Sequence, residues 1–159
     1  MRKFLSLLLI LVCITGLSAC GTDDIDISSY KDQKIILSGI QDDDIEITIA
    51  DLRAMECKTL KTYCTSDKVG KVRATGPELD TVLSEYGVSK SDFSSITIYG
   101  TDEYDVKLNN EYITSNDIYL AFGIDGEPLD AESAPCRIII PKSDSAYWTR
   151  MVYKIEFVK

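Results

Sequence analysis

Short apolar runs separated by polar turns divide most of the chain into candidate strands. Branched and aromatic residues dominate these runs, and Gly, Asp or Pro bounds most of them, which is typical of β-structure. The strongest hairpin signal is the Asp125-Gly126 pair. The predicted strands cover residues 34–39, 45–47, 56–65, 72–74, 96–99, 104–108, 118–124, 137–140 and 148–158.

Two segments show helical signals instead. Thr48 stands three residues before Asp51, an arrangement typical of a capping box, and predicts a short helix after it. Pro77 at a first helical position, followed by Glu78, predicts a second helix, and Gly87 predicts its left-handed end. Two short helices among many strands predict an α+β fold.

The first twenty residues have a different pattern. A basic start, Met1-Arg2-Lys3, precedes an apolar run from Phe4 to Leu17, and the small residues Ser18 and Ala19 precede Cys20. A run of about 14 apolar residues is too short to span a bilayer comfortably. The order of basic, apolar and small residues is typical of a secretory signal.

This segment resembles the lipobox of bacterial lipoproteins, in which the Cys thiol receives diacylglycerol and becomes the new N-terminus. The resemblance implies a signal peptide over residues 1–19, lipidation at Cys20, and attachment to the extracytoplasmic face of the cell membrane by two acyl chains. An ordinary signal peptide, or a short anchor helix with an incidental Cys, is the alternative. Residues 20–32 are mostly polar and are predicted to form a flexible linker, with the folded domain over residues 33–159.

Charge and composition exclude several classes of function. The chain carries a net charge of −9, and removal of the signal with Arg2 and Lys3 leaves −11. This excess repels phosphate backbones and anionic headgroups, which argues against nucleic acid or a lipid-surface patch as partner. The chain has no His, so Ser-His-Asp and Cys-His catalysis are excluded.

Three further cysteines, Cys57, Cys64 and Cys136, lie in the domain. An odd number cannot all pair internally, and their spacing matches no zinc pattern. Cys57 and Cys64 lie seven residues apart along one extended segment, so they face opposite sides and are not expected to form a disulfide. We expect Cys136 to pack as a small buried hydrophobic residue.

Several motifs occur in order along the domain. They are Gly76-Pro77-Glu78-Leu79, Asp102-Glu103-Tyr104, Asp125-Gly126-Glu127-Pro128-Leu129, Pro135-Cys136-Arg137-Ile138 and Trp148-Thr149-Arg150. Together they resemble the molybdopterin-binding domain of the sulfite oxidase family, over residues 45–158. The resemblance implies a β-rich, mixed-sheet or barrel-like fold with a few short helices.

The same resemblance suggests site residues. In that family a Cys thiolate binds molybdenum, while basic side chains and backbone amides hold the pterin and its phosphate. It implies Cys64 as the molybdenum ligand and Arg137 and Arg150 as cofactor-binding residues. Each has a plainer interpretation, because Cys64 is equally compatible with a buried thiol and the two arginines with ion pairs to acidic residues.

Departures from the family pattern favour a domain without the metal. No His is present, Glu103 replaces the turn Gly, Ala134 replaces the Gly before Pro135, and no basic cluster is evident. The signal also has no Arg-Arg pair, whereas enzymes exported with this cofactor normally leave the cytoplasm folded, by the twin-arginine route.

The interpretation favoured by the sequence is an exported lipoprotein whose reduced molybdopterin-binding-type domain serves as a cofactor-free binding or accessory module. Its partner would be a protein or a small molecule that the sequence does not identify. One alternative is a molybdopterin-dependent oxidoreductase with Cys64 as molybdenum ligand. Another is an unrelated extracytoplasmic ligand-binding lipoprotein.

Overall fold

The computed structural model describes residues 24–66 and 70–159. The signal segment and Cys20 lie outside the described residues. Among those described, none of the helices is long and apolar enough to cross a bilayer. The elements in chain order are β1 (Lys34–Ser38), β2 (Ile45–Thr48), α1 (Ile49–Ala54), β3 (Cys57–Tyr63), β4 (Lys71–Pro77), α2 (Leu79–Ser84), β5 (Ser95–Gly100), β6 (Asp105–Asn109), α3 (Asn110–Ser115), β7 (Tyr119–Ala121), β8 (Gly123–Ile124), β9 (Glu127–Pro128), β10 (Arg137–Ile139) and β11 (Val152–Val158).

The described strands form three sheets, which confirms the predicted strand-rich α+β architecture. The largest has the order β2-β1-β11-β5-β6, and only its β1–β11 pair is parallel. A four-stranded sheet has the order β3-β4-β8-β9, and β10 pairs with β7. The two smaller sheets meet closely at Gly76, where a Cβ would stand 2.1 Å from the carbonyl oxygen of Leu120.

The hydrophobic core lies between these sheets. Ile138, Ile139 and Ile140 are completely buried, as their continuous apolar run predicts. In β11 the alternation of inward and outward side chains expected of a regular strand is interrupted by an irregularity between Val152 and Lys154. Val152 therefore joins Ile155 in the core, although the two are an odd number of residues apart.

The predicted linker is wrong for the residues that the structure describes. Ile25, Ile27 and Tyr30 are buried in the core at 1 %, 4 % and 3 % exposure. The Tyr30 hydroxyl donates to the carbonyl of Phe122 at 2.7 Å and accepts from the amide of Leu129 at 3.0 Å. Burial of these three side chains makes residues 24–32 part of the folded domain, although most residues of this stretch are polar.

Helix boundaries show one success and two corrections. Thr48 and Asp51 form the predicted capping box at the start of α1. Pro77, predicted as the first residue of α2, instead ends β4, because β4 continues to pair with β3 as far as Cys57 opposite Pro77. Helix α3 was not predicted, although the Asn109 side chain caps it.

Candidate functional site

The structure brings the three site residues predicted from sequence into one region. Cys64 follows β3, Arg137 begins β10 and Arg150 precedes β11. Beside them lies a cavity of about 360 Å³, called here the arginine pocket. Its lining residues are Asp102, Tyr104, Ser145, Trp148 and Arg150.

The Cys64 thiol is covered, not open to this pocket. The residue is 6 % exposed, and its sulfur lies 3.3 Å from the Ser66 hydroxyl. Ser66 in turn donates to the hydroxyl of Ser145 at 2.8 Å, so two hydroxyls stand between the sulfur and the pocket wall. Cys64 itself is not among the described residues that line the pocket.

Arg137 carries an unsatisfied donor. Its guanidinium lies 5.8 Å from the centre of the Trp148 ring, and its Nε is buried without a hydrogen-bond partner among the described residues. Burial lowers the Arg137 pKa, and the positive charge of Arg150 lowers it further, against the opposite effects of Asp130 and Cys64. A buried cation beside a second cation is stabilised by an anion.

The Trp148 ring is held in place by its own hydrogen bonds. Its Nε1 donates to the carbonyl of Ile140 at 2.8 Å and to the Ser143 hydroxyl at 3.0 Å. Across the pocket, the Tyr104 hydroxyl donates to the carbonyl of Ala146 at 2.7 Å. Sequence reasoning did not name Trp148 or Tyr104 as site residues, although both lie within the family motifs that it singled out.

Arg150 is more exposed than Arg137. Its Nη1 lies 3.7 Å from Glu132, and the two side chains are 44 % and 85 % exposed, so the pair contributes little stability. This is the expected alternative of an ion pair for Arg150. For Arg137, no ion pair is found within the described ranges.

The other two cysteines have structural environments. Cys57 and Cys136 are buried, and all three described cysteines are free. Burial raises the pKa of Cys57 to about 11 and raises that of Cys136. Within residues 24–66 and 70–159, no group of three His, Cys, Asp or Glu side chains could hold a metal ion.

A family model described as the oxidoreductase molybdopterin binding domain matches residues 24–159. The chain belongs to this family. The resemblance to the sulfite oxidase family is thereby confirmed, so the chain is not unrelated to that family. The match begins at Asp24, which agrees with the burial of Ile25 and Ile27 in this molybdopterin-binding-type domain.

Among solved structures, this molybdopterin-binding-type domain is similar to the sulfane dehydrogenase SoxCD from Paracoccus pantotrophus. The TM-score is 0.69 at 18 % identity, over 80 % of this chain and 38 % of that chain. At this identity the likeness shows the fold alone, and the chain spans well under half of the longer protein. No curated protein matches the chain.

The arginine pocket fits an anion better than it fits a thiolate-bound metal. Arg150 lines the pocket and can donate to an anionic group such as a phosphate, whereas Arg137, whose buried Nε has no partner among the described residues, is not among the lining residues. A metal ligand needs a thiolate that the metal can reach, whereas the Cys64 sulfur is covered and is separated from the pocket by Ser66 and Ser145. The described residues therefore do not fit the complete molybdenum cofactor.

Proposed function

We propose that this chain is a lipid-anchored, extracytoplasmic accessory protein whose molybdopterin-type domain binds a small anion and works without molybdenum. The anion would contact Arg137 and Arg150. The observation that carries the proposal is the buried Nε of Arg137, which lacks a partner among the described residues and lies near a second guanidinium. Leaving such a donor unpaired is costly, so an anion that accepts from it gains binding free energy.

The environment of Cys64 supports the cofactor-free part of the proposal. A resident metal would displace the Ser66 hydroxyl that now lies 3.3 Å from the sulfur. Ser66 would then lose its place in the chain of hydroxyls that ends at Ser145. A buried thiol with such a neighbour is typical of a structural cysteine.

The sequence supports the membrane anchor. The basic, apolar and small residues before Cys20 have the order of a lipoprotein signal. A diacylglycerol on Cys20 would hold the domain at the extracytoplasmic face, because two acyl chains make membrane attachment stable.

A molybdopterin-dependent oxidoreductase is the second candidate. It is favoured by the family and by the proximity of Cys64 to Arg137, on whose pKa it acts. In that case Cys64 would supply the sulfur ligand, and Arg137 and Arg150 would hold the phosphate. The cofactor, when bound, would supply oxygen-atom or two-electron transfer.

Metal content separates the two candidates. The full chain is produced in one host that makes the molybdenum cofactor and in another that cannot, and bound molybdenum is measured by mass spectrometry. We expect none in either preparation. Stoichiometric molybdenum in the first host that is lost in Cys64→Ala and retained in Cys136→Ala would establish the oxidoreductase and contradict our proposal.

Anion binding is tested by thermal unfolding. Inorganic phosphate and sulfate are compared with chloride at equal ionic strength, because a ligand that binds only the folded state raises the melting temperature. We expect a rise that is lost in Arg137→Gln and reduced in Arg150→Gln. The control Lys107→Gln, on an exposed strand residue, should keep the full rise. Equal melting in all three salts would contradict the anion site.

A further inference from the structure

The strand register gathers basic residues on one face of the β3–β4 hairpin. Lys61 lies opposite Arg73, and Tyr63 lies opposite Lys71. Directly opposed residues of an antiparallel pair project to the same side, so these four side chains share a face, called here the basic face. The Thr59–Thr75 hydroxyl contact at 3.0 Å, one pair further along, confirms this register.

The basic face is exposed and slightly concave. Lys61 and Lys71 are exposed, and Tyr63 is 44 % exposed. These residues, with Arg73 and Asp125, line a cavity of about 580 Å³. Neither lysine forms an ion pair with a residue in the described ranges. Asp125 is the acidic residue of this lining, and its carboxylate accepts from the Arg73 amide at 2.7 Å.

The net charge of the chain conceals this cluster. Lys61, Lys71 and Arg73 with Asp125 give the lining of the basic face a charge of +2, while the whole chain carries −9. The rest of the chain therefore carries −11. A strongly acidic molecule with a basic face approaches an anionic surface in one orientation, because every other face is repelled.

The N-terminal segment lies on the same side of the sheet. Gly123 is opposite Thr75, so a Cβ on Gly123 would project to the side of the basic face. That Cβ would stand 2.3 Å from Cδ1 of Ile25, which places Ile25 over this side. Ile25, close to the start of the described residues, therefore lies on the side of the sheet that carries Lys61, Lys71 and Arg73.

The reach of the tether is short. Four residues lie between Cys20 and Ile25, and the five Cα–Cα steps extend at most about 17 Å. Arg73 lies two residues along β4 from Thr75, a further distance of about 7 Å. A lipid on Cys20 would therefore keep the basic face close to the bilayer surface.

We propose that the basic face docks on anionic phospholipid headgroups of the membrane that holds the lipid anchor. Lys61 and Lys71 contact the headgroup phosphates, and Tyr63 lies at the interface, where aromatic side chains with a polar end are favoured. The docking orients the domain and leaves its acidic faces directed away from the membrane. The inference rests on the proposed anchor at Cys20.

The test follows the environment of residue 63 in a Tyr63→Trp variant of the full lipidated chain. The variant is reconstituted into vesicles of phosphatidylcholine alone or of equal parts phosphatidylcholine and phosphatidylglycerol. Quenching by acrylamide, an uncharged quencher, is measured, with the Trp148 contribution taken from the chain that retains Tyr63. We expect about twofold weaker quenching on the anionic vesicles, reversed at about 1 M salt.

Charge reversal provides the matched control. Lys61→Glu should weaken the protection and Lys61→Glu with Lys71→Glu should abolish it. Lys107→Glu, at another exposed lysine on β6 and with the same change of charge as the single reversal, should leave it unchanged. Equal quenching on the two kinds of vesicle, or equal effects of the two sets of substitutions, would overturn the docking surface.

Failure of the anchor is distinguishable from failure of the docking surface. Mass spectrometry of the chain shows whether Cys20 carries diacylglycerol. If it does not, the anchor is wrong, and the same full chain is sedimented with the two kinds of vesicle. Sedimentation with anionic vesicles alone, lost in the double charge reversal, would sustain the basic face, and no sedimentation would overturn it.

Discussion

At the scale of single residues, the hydrogen-bond partners of a buried cation distinguish a structural group from one that can bind a ligand. Lys90 is 9 % exposed, and its Nζ donates to the carbonyl of Asn116 at 2.9 Å and pairs with Asp80 at 2.7 Å. Arg137, in contrast, has a buried Nε with no partner among the described residues. Lys90 is therefore a structural group whose ammonium is paired, whereas Arg137 keeps an unpaired donor that can bind an anion.

Gly76→Ala should destabilise the fold strongly. The added Cβ would stand 2.1 Å from the Leu120 carbonyl oxygen, and both groups belong to strands that cannot separate cheaply. We expect a loss of about 3 kcal/mol in the free energy of unfolding, measured with urea. The control is Gly87→Ala, which meets no atom but has φ +69°, and should lose only about 1 kcal/mol. Equal losses would show that steric overlap is not decisive.

The Cys57 thiol should make stability depend on pH in the alkaline range. Its pKa is raised from 9.0 to about 11 by burial. Between these values the unfolded chain has released the proton that the folded chain retains, so the free energy of unfolding falls as pH rises. In Cys57→Ala, the free energy of unfolding measured by urea titration should fall less steeply with pH over this range. The difference should correspond to about one proton. Parallel slopes would contradict the raised pKa.

At the scale of elements, sequence signals within a few residues correctly predicted the features that depend only on neighbouring residues. The Thr48–Asp51 box and the left-handed Gly87 are properties of a few adjacent residues, and both are present. Pro77 was predicted incorrectly, because its strand conformation depends on pairing with Cys57, twenty residues away. Distant contacts also divide the predicted strand over residues 118–124, whose two halves join different sheets.

The difference between local and distant contacts also explains which features of the candidate site were predictable. The family motifs gave Arg137 and Arg150, and the two guanidinium groups do influence each other. The covering of Cys64 was not predictable from sequence, because it depends on Ser145, 79 residues beyond Ser66. A motif specifies which residue types occur, and the packing of remote loops decides whether they remain accessible.

Asp51→Ala should weaken α1 in a pH-dependent way. The Asp51 carboxylate accepts from the Thr48 hydroxyl at 2.6 Å and from its amide at 2.8 Å, and these bonds lower the Asp51 pKa below 3.8. The variant should lose about 1 kcal/mol near neutral pH. This difference should shrink as pH falls through the lowered pKa, because the protonated group loses its stabilising bonds in the wild type.

A matched control for this variant is available on the preceding turn. Asp43 is exposed and makes no hydrogen bond with a described residue. Asp43→Ala should change the free energy of unfolding by less than about 0.5 kcal/mol at any of these pH values. Equal losses at positions 43 and 51 would indicate an effect of total charge and would contradict the capping role.

At the scale of the whole molecule, average polarity and net charge concealed two features that the contacts between residues reveal. A polar average over residues 20–32 concealed Ile25, Ile27 and Tyr30, which are buried among distant residues. A strongly acidic net charge concealed the basic face, because Lys61, Lys71 and Arg73 lie within one hairpin and the β3–β4 register places them on the same face. Ile25 packs on the same side of the sheet as the basic face.

Removal of residues 24–32 should therefore unfold the domain, although the sequence alone suggested a dispensable linker. Burial of Ile25, Ile27 and Tyr30 contributes about 2 kcal/mol each, and their sum approaches the total stability of a small domain. Loss of the Tyr30 hydroxyl also leaves the Leu129 amide without its partner. A chain beginning at Gln33 should lack cooperative melting by circular dichroism, whereas one beginning at Asp24 should retain it. Equal melting of the two chains would show that the core is stable without residues 24–32 and would contradict this prediction.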